Sequence, residues 1–151
     1  IRDQRVSRGL GDVYKRQDRE CENFKIPKLT IVTFVENACV HGIESKSSPG
    51  WIFVRIGRQE EGLEIEIEDT GSGMTEAKLA KLQNNMRNAS IEMLKGGGRV
   101  GIINACVRLK MVTENRAEFC VEGEEGVGTT VTIRIPCLQE GKTDAESIVS
   151  R

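Results

Sequence analysis

No run of apolar residues in this sequence approaches a membrane-spanning length, and its first residues, Ile1-Arg2-Asp3-Gln4-Arg5, do not form a secretory signal. There is no polybasic stretch either. The 22 Lys and Arg residues against 23 Asp and Glu leave a net charge of -1, which gives no electrostatic case for nucleic acid or a membrane surface. Cys21, Cys39, Cys106, Cys120 and Cys137 lack CxxC spacing and partner histidines, so neither a zinc site nor a disulfide framework fits. Free thiols in a reducing cytoplasm do fit. The chain has one histidine, His41, no GxxxxGK[ST] phosphate loop and no internal repeat. At 151 residues it is long enough for one intracellular domain with a full core.

Residues 1–17 have neither helical nor strand periodicity and carry Gly9 and Gly11 among basic residues. They read as foreign to the domain or disordered, a cloning or sequencing scar. The domain proper is expected over 18–137, and the polar segment 138–151 as a frayed tail. Within the domain, Pro27 suits the first turn of a helix reaching Ile43. Trp51–Gly57 and Leu63–Asp69 read as strands, as do Ala117–Glu122 and Thr129–Pro136. Helices are predicted over Glu76–Met86, Ala89–Lys95 and Val100–Met111. This order predicts an α+β fold in two layers, a mixed and mostly antiparallel sheet covered on one face by helices.

Strand parity locates candidate chemistry. In Leu63-Glu64-Ile65-Glu66-Ile67-Glu68-Asp69 the apolar residues are odd, so Asp69 shares the core-facing parity. An inward carboxylate needs a donor, and an adenine amino group is one candidate; Asp before Gly also begins turns. Thr129 shares a face with Val131, Ile133 and Ile135, which makes it the inward hydroxyl, although threonine suits strands in general.

On the first helix, Leu29, Val32, Val35, Cys39, Val40 and Ile43 form the apolar arc. Asn37 and His41 lie one turn apart on another face, near Thr30, Thr33 and Phe34. An Asn oxygen and a basic ring at that spacing suit a hydrated magnesium ion and a phosphate. A lone histidine near a helix C-terminus is also commonly a surface residue. Gly71 and Gly73 permit close backbone approach, and Gly96-Gly97-Gly98 precede a helix whose first amides suit phosphates. Hinges have the same glycine content.

In this order the segments resemble the ATP-binding domain of the GHKL superfamily, nearest to the catalytic domain of LytS/YesM-type sensor histidine kinases. Ile26-Pro27-Lys28-Leu29 with Phe34-Val35-Glu36-Asn37-Ala38 and His41-Gly42 is similar to that family's N box. Asp69-Thr70-Gly71-Ser72-Gly73-Met74 matches its G1 box, and Val100 to Leu109 resembles its G2 box. Gly126-Val127-Gly128-Thr129-Thr130-Val131 resembles the final GxGT strand. The resemblance covers about 23–136. It implies the Bergerat ATP-binding fold, ATP and Mg2+ as ligands, and a flexible lid over about 74–98.

The resemblance also implies residue roles. Asn37 would hold magnesium, Asp69 would accept from the adenine amino group, and Gly71, Gly73 and Met74 would shape that wall. Thr129 would complete the adenine contact. His41, Gly98, Val100 and Gly101 would lie by the phosphates. Two departures stand out. Val32 and Thr33 replace the family's Gln and Pro, and Arg99 replaces the first glycine of the G2 box.

The implied activity is that of a protein histidine kinase: transfer of the ATP γ-phosphoryl to a histidine on a dimerisation domain absent from this chain, with a response regulator downstream. The parent would be a homodimer anchored in the bacterial cell membrane, with this domain cytoplasmic and out of contact with the bilayer. Alternatives are a free-standing anti-sigma-factor serine kinase and a nucleotide-binding regulatory module without transfer activity. Such serine kinases carry Glu one turn before the magnesium Asn, where this chain has Thr33. Glu36 is a candidate base, with a structural polar contact the preferred reading.

Overall fold

The computed structural model describes residues 2–7, 11–17, 24–59, 62–94 and 101–136. Strands β1 (Arg2–Ser7) and β2 (Gly11–Gln17) precede helix α1 (Thr30–Asn37), which continues as a π-helix over Ala38–Ile43. Then come β3 (Gly50–Gln59), β4 (Gly62–Asp69), α2 (Glu76–Arg87), α3 (Ile91–Leu94), α4 (Gly101–Val112), β5 (Glu118–Glu124) and β6 (Gly128–Pro136). The sheet order is β1-β2-β3-β4-β6-β5. β2 and β3 are parallel, and every other pair is antiparallel. The π-helical segment packs on β3, β4 and β6, while α2 packs on β5. This is the expected α+β arrangement.

Alternation decides which face of the sheet takes the helices. Leu63, Ile65 and Ile67 of β4 and Val131, Ile133 and Ile135 of β6 are buried, together with Ile52, Val54 and Ile56 of β3. On β4 and β6 the opposite face is polar, and β3 adds Trp51, Phe53 and Arg55 to it. Arg55 there pairs with Glu66 and, at 2.6 Å, with Glu68, and Arg134 with Glu64 at 2.9 Å. Such exposed pairs contribute at most about 1 kcal/mol each. Core burial is what holds the layers together.

The structure departs from the sequence reading at three places. The stretch 1–17, read as lacking strand pattern, contains β1 and β2, and β2 pairs with β3 from Gly11↔Gly50 to Gln17↔Ile56. Ladder hydrogen bonds come from the backbone, so pairing with the edge of β3 needs no side-chain alternation. The tail 138–151 and Gly98, Arg99 and Val100 lie outside the described residues.

The second departure is the phase of α1. Leu29 adopts φ 65°, so the helix begins at Thr30 rather than near Pro27. Leu29, Val32 and Val40 are 65%, 48% and 50% exposed, whereas Thr30, Phe34 and Ala38 are buried. Thr30 tolerates burial because its hydroxyl donates to the Pro27 carbonyl at 2.8 Å. Phe34, at i+4, then sets the buried face, a contribution of about 1.5–3 kcal/mol.

Third, α2 is part of the body, although the sequence reading placed it inside the lid. Met86 is fully buried. The Gln83 side chain also bridges the edge of β5, donating to the Phe119 carbonyl and accepting from the Val121 N–H, both at 2.8 Å. Among the described residues no helix is long and apolar enough to cross a membrane.

Candidate functional site

Asp69 and Thr129 end the paired stretch of β4 and β6 opposite one another. Both are buried on the helix-covered side, as their parity requires. Oδ1 of Asp69 accepts from the Gly71 N–H at 2.8 Å, and the Thr129 backbone N–H is a second donor. Burial is the largest influence and pushes the carboxyl pKa up from its ordinary value. The two N–H groups and the Lys46 ammonium oppose that rise, while Glu68 adds to it.

The end of the first helix closes over this carboxylate. The Glu44 N–H donates to the Cys39 carbonyl at 2.9 Å, five residues back, so the last turn is π-helical. Ile43 is thereby turned into the core and Gly42 against Asp69. A Cβ on Gly42 would come within 2.6 Å of Asp69 Oδ1, and one on Gly71 would overlap the Gly42 backbone.

Ser72 binds three segments together. Its N–H donates to the Gly42 carbonyl at 3.0 Å and its hydroxyl to the His41 carbonyl at 3.2 Å. Its own carbonyl accepts from the Gly126 N–H in the β5–β6 turn at 2.7 Å. The Ser45 hydroxyl donates to the Ser72 hydroxyl at 2.7 Å.

The resulting cavity is lined by Phe34, Asn37, Ala38, His41, Gly42, Ile67, Asp69, Met74, Thr129 and Val131. Of the residues singled out from sequence, it brings together Asn37, His41, Asp69, Met74 and Thr129, with Gly71 and Gly73 in the turn behind Asp69. Glu36 is not among them. It is exposed and makes no hydrogen bond or ion pair among the described residues, so the expected structural polar contact is not found among them. Gly101, the first residue of α4, is exposed and outside the lining, and Gly98 and Val100 lie outside the described residues.

Sequence reasoning gave no site role to Gly42 and Ser72, quoted only as parts of the resembling motifs, and missed Ser45 and Lys46. The one signal available was the glycine at the helix end, since the serines and the lysine act through contacts across the fold.

Chemically the cavity has apolar walls, one buried carboxylate, one carboxamide and one imidazole. Apolar side chains around a buried acceptor are the lining that suits a heterocycle bearing an exocyclic amine, and the cavity as it stands has a free volume of only about 10 Å³. The Asn37 side chain makes no hydrogen bond among the described residues, which leaves its oxygen available to a hard cation that keeps most of its waters. Among the described residues no group of three or more His, Cys, Asp or Glu is placed to hold a metal ion.

A larger groove at the other end of β4 and β6 includes Gln59, Glu64, Arg116 and Arg134. There Arg134 and Glu64 satisfy each other, and among the described residues no buried polar side chain lines the space. Cys39, Cys106 and Cys120 are free thiols. Burial, then Glu44, Glu36 and Asp69, raise the pKa of Cys39, and burial pushes that of Cys106 up to about 12.

Residues 27–139 match the model of the family described as histidine kinase-, DNA gyrase B- and HSP90-like ATPases. The uncharacterized protein YwpD of Bacillus subtilis (strain 168) is 31% identical over 114 residues, covering 75% of this chain and 37% of that protein. The sensor histidine kinase YesM of the same organism is 27% identical over 123 residues, 82% of this chain and 19% of YesM. The chain therefore spans less than two fifths of either relative. The blue-light activated histidine kinase of Erythrobacter litoralis EL346 superposes with a TM-score of 0.60 at 20% identity, covering 88% of this chain and 37% of that one. At that identity the likeness shows a shared fold.

Proposed function

The chain belongs to the family of histidine kinase-, DNA gyrase B- and HSP90-like ATPases, and from that premise we propose that it binds Mg-ATP and serves as the catalytic domain of a sensor histidine kinase. The observation that carries the proposal is the buried Asp69 carboxylate, held by backbone donors at the end of an apolar slot that also contains Asn37 and His41. In this reading Asp69 accepts from the adenine amino group. Phe34, Ile67, Met74 and Val131 sandwich the ring, and Thr129 completes the base contact.

Asn37 supplies one oxygen to magnesium, and its carboxamide, which makes no hydrogen bond among the described residues, fits that task. Bound magnesium would supply charge neutralisation to the phosphates. His41, exposed at the cavity edge, lies on the phosphate side, with Gly98, Val100 and Gly101 as the lid-end contacts. Glu36 has no role as a base in this scheme, because it is exposed and outside the cavity lining.

The phosphoryl acceptor is a histidine on a separate helical domain. His41 is the sole histidine here and is committed to the cavity. The resemblance to YesM supports this reading. A dimeric, membrane-anchored parent with this domain on the cytoplasmic side, acting on a response regulator, completes the proposal. Incubation with labelled ATP and a supplied acceptor-helix domain tests it. Acid-labile phosphohistidine appearing on the helix domain is the expected product. Acid-stable phosphoserine on a sigma-regulator partner would overturn it.

A further inference from the structure

Lys46 sits in the turn that follows the π-helical segment, and its ammonium donates to the Thr70 carbonyl at 3.0 Å in a partly buried contact. The Thr70 carbonyl and the Gly71 N–H belong to one peptide group. That N–H is the donor to Asp69 Oδ1 at 2.8 Å. A trans peptide points its carbonyl and its N–H in opposite directions. Lys46 and Asp69 therefore hold the two ends of a single amide, the cation on the oxygen and the anion on the N–H.

Each charge is placed to favour the amide dipole, and hydrogen bonds in such a chain polarise and strengthen one another. The amide itself is fixed on both sides. The Thr70 N–H donates to the Trp51 carbonyl at 3.0 Å, and the Thr70 hydroxyl accepts from the Trp51 N–H at 2.9 Å. Gly71 is wedged against the Gly42 backbone.

We propose that Lys46 is a positioning residue for the base end of the pocket, acting through the Thr70–Gly71 peptide to keep the Asp69 carboxylate ionised and aimed. The part concerning the base rests on the nucleotide reading above; the coupling of Lys46 to Asp69 does not. Burial works against the ionised form of Asp69, and of its charged surroundings Lys46 is the one that favours it. Glu68, on the same strand, opposes ionisation. Cys39 and His41 approach from the π-helical segment. The neighbouring strands present Ile52 and Thr129 opposite Asp69, neither of them ionisable in this range.

The test uses the full 151-residue chain. Carbon-13 NMR follows the Asp69 carboxyl titration without nucleotide, assigned by its disappearance in Asp69→Asn. Lys46→Gln is expected to raise the Asp69 midpoint and Lys46→Arg to bring it back. A fluorescent ATP analogue is expected to bind Lys46→Gln about threefold more weakly at neutral pH, in keeping with a partly exposed charge. The acid limb of its binding curve should move upward by the same interval.

A role confined to tethering the turn would weaken binding and leave both midpoints in place, and that result overturns the proposal. So does a Lys46→Gln protein that titrates as wild type. Should the wild type bind no adenine nucleotide, the NMR midpoint separates the two failures. A shift in Lys46→Gln then upholds the coupling while the nucleotide reading falls; no shift removes the coupling as well.

Discussion

A Cβ on Gly42 would lie 2.6 Å from Oδ1 of Asp69, so the end of the first helix rests directly on the buried carboxylate at the end of β4. No side chain fits between them. Gly71 takes up the same close approach from the other side, since its Cβ would overlap the Gly42 backbone. Gly71→Ala is therefore expected to destabilise the fold by about 2 kcal/mol or more. Nucleotide affinity should fall with it as the Gly71 N–H moves off Asp69. Thermal unfolding and analogue titration of the same sample check both effects.

Asp69→Asn should separate stability from binding. Burial raises the Asp69 pKa, so the native state holds that proton more tightly than the unfolded chain does. Stability from this group is therefore present below the ordinary carboxylate pKa and is lost as pH rises through the raised one. Above the raised value the whole penalty is in force. The Asn variant, which carries no such penalty, is expected to be at least as stable as wild type at pH 7. Its advantage should shrink as pH is lowered from the raised value to the ordinary one. Denaturant curves across that window decide the sign.

Met86 and Ile91 test where the body ends and the lid begins. Met86 is fully buried on α2, the helix that Gln83 fastens to β5, whereas Ile91 on α3 is 51% exposed. Met86→Ala should cost about 2–5 kcal/mol. Ile91→Ala should stay within about 0.5 kcal/mol. Chemical denaturation of the two variants provides the comparison.

The Cys106 thiol should report global unfolding. It is fully buried and its pKa is pushed up to about 12, so almost no thiolate exists at neutral pH. Pulse alkylation read by mass spectrometry is expected to leave Cys106 unmodified in the native protein and to label it in step with denaturant unfolding.

The parts of this site carried by strands were legible in the sequence. A strand has period two, so Asp69 and Thr129 inherit the facing of Ile65, Ile67, Val131 and Ile133 without reference to anything distant. The first helix was less legible. Its apolar residues fit one arc, but Leu29 takes a left-handed conformation and Thr30 is buried through the Pro27 carbonyl. The face chosen is accordingly that of Phe34 and Ala38. The π-turn rotates Gly42 and Ile43 again, and no residue type announces it. Lys46 could not be recognised at all, because its partner is 24 residues away and is a backbone carbonyl. The pairing of β2 with β3 likewise rests on main-chain groups that every sequence shares.

The central claim is that Asp69 recognises adenine in a pocket completed by Asn37, His41, Met74 and Thr129. Its most direct test is calorimetric titration of the chain with Mg-bound, non-hydrolysable ATP and GTP analogues, for wild type and Asp69→Asn side by side. The account predicts that wild type binds the adenine nucleotide in preference to the guanine one. Asp69→Asn should then lose roughly ten- to a hundredfold in affinity, the worth of a charged hydrogen bond. Equal binding of the ATP analogue by wild type and Asp69→Asn, or no binding by either, would contradict it.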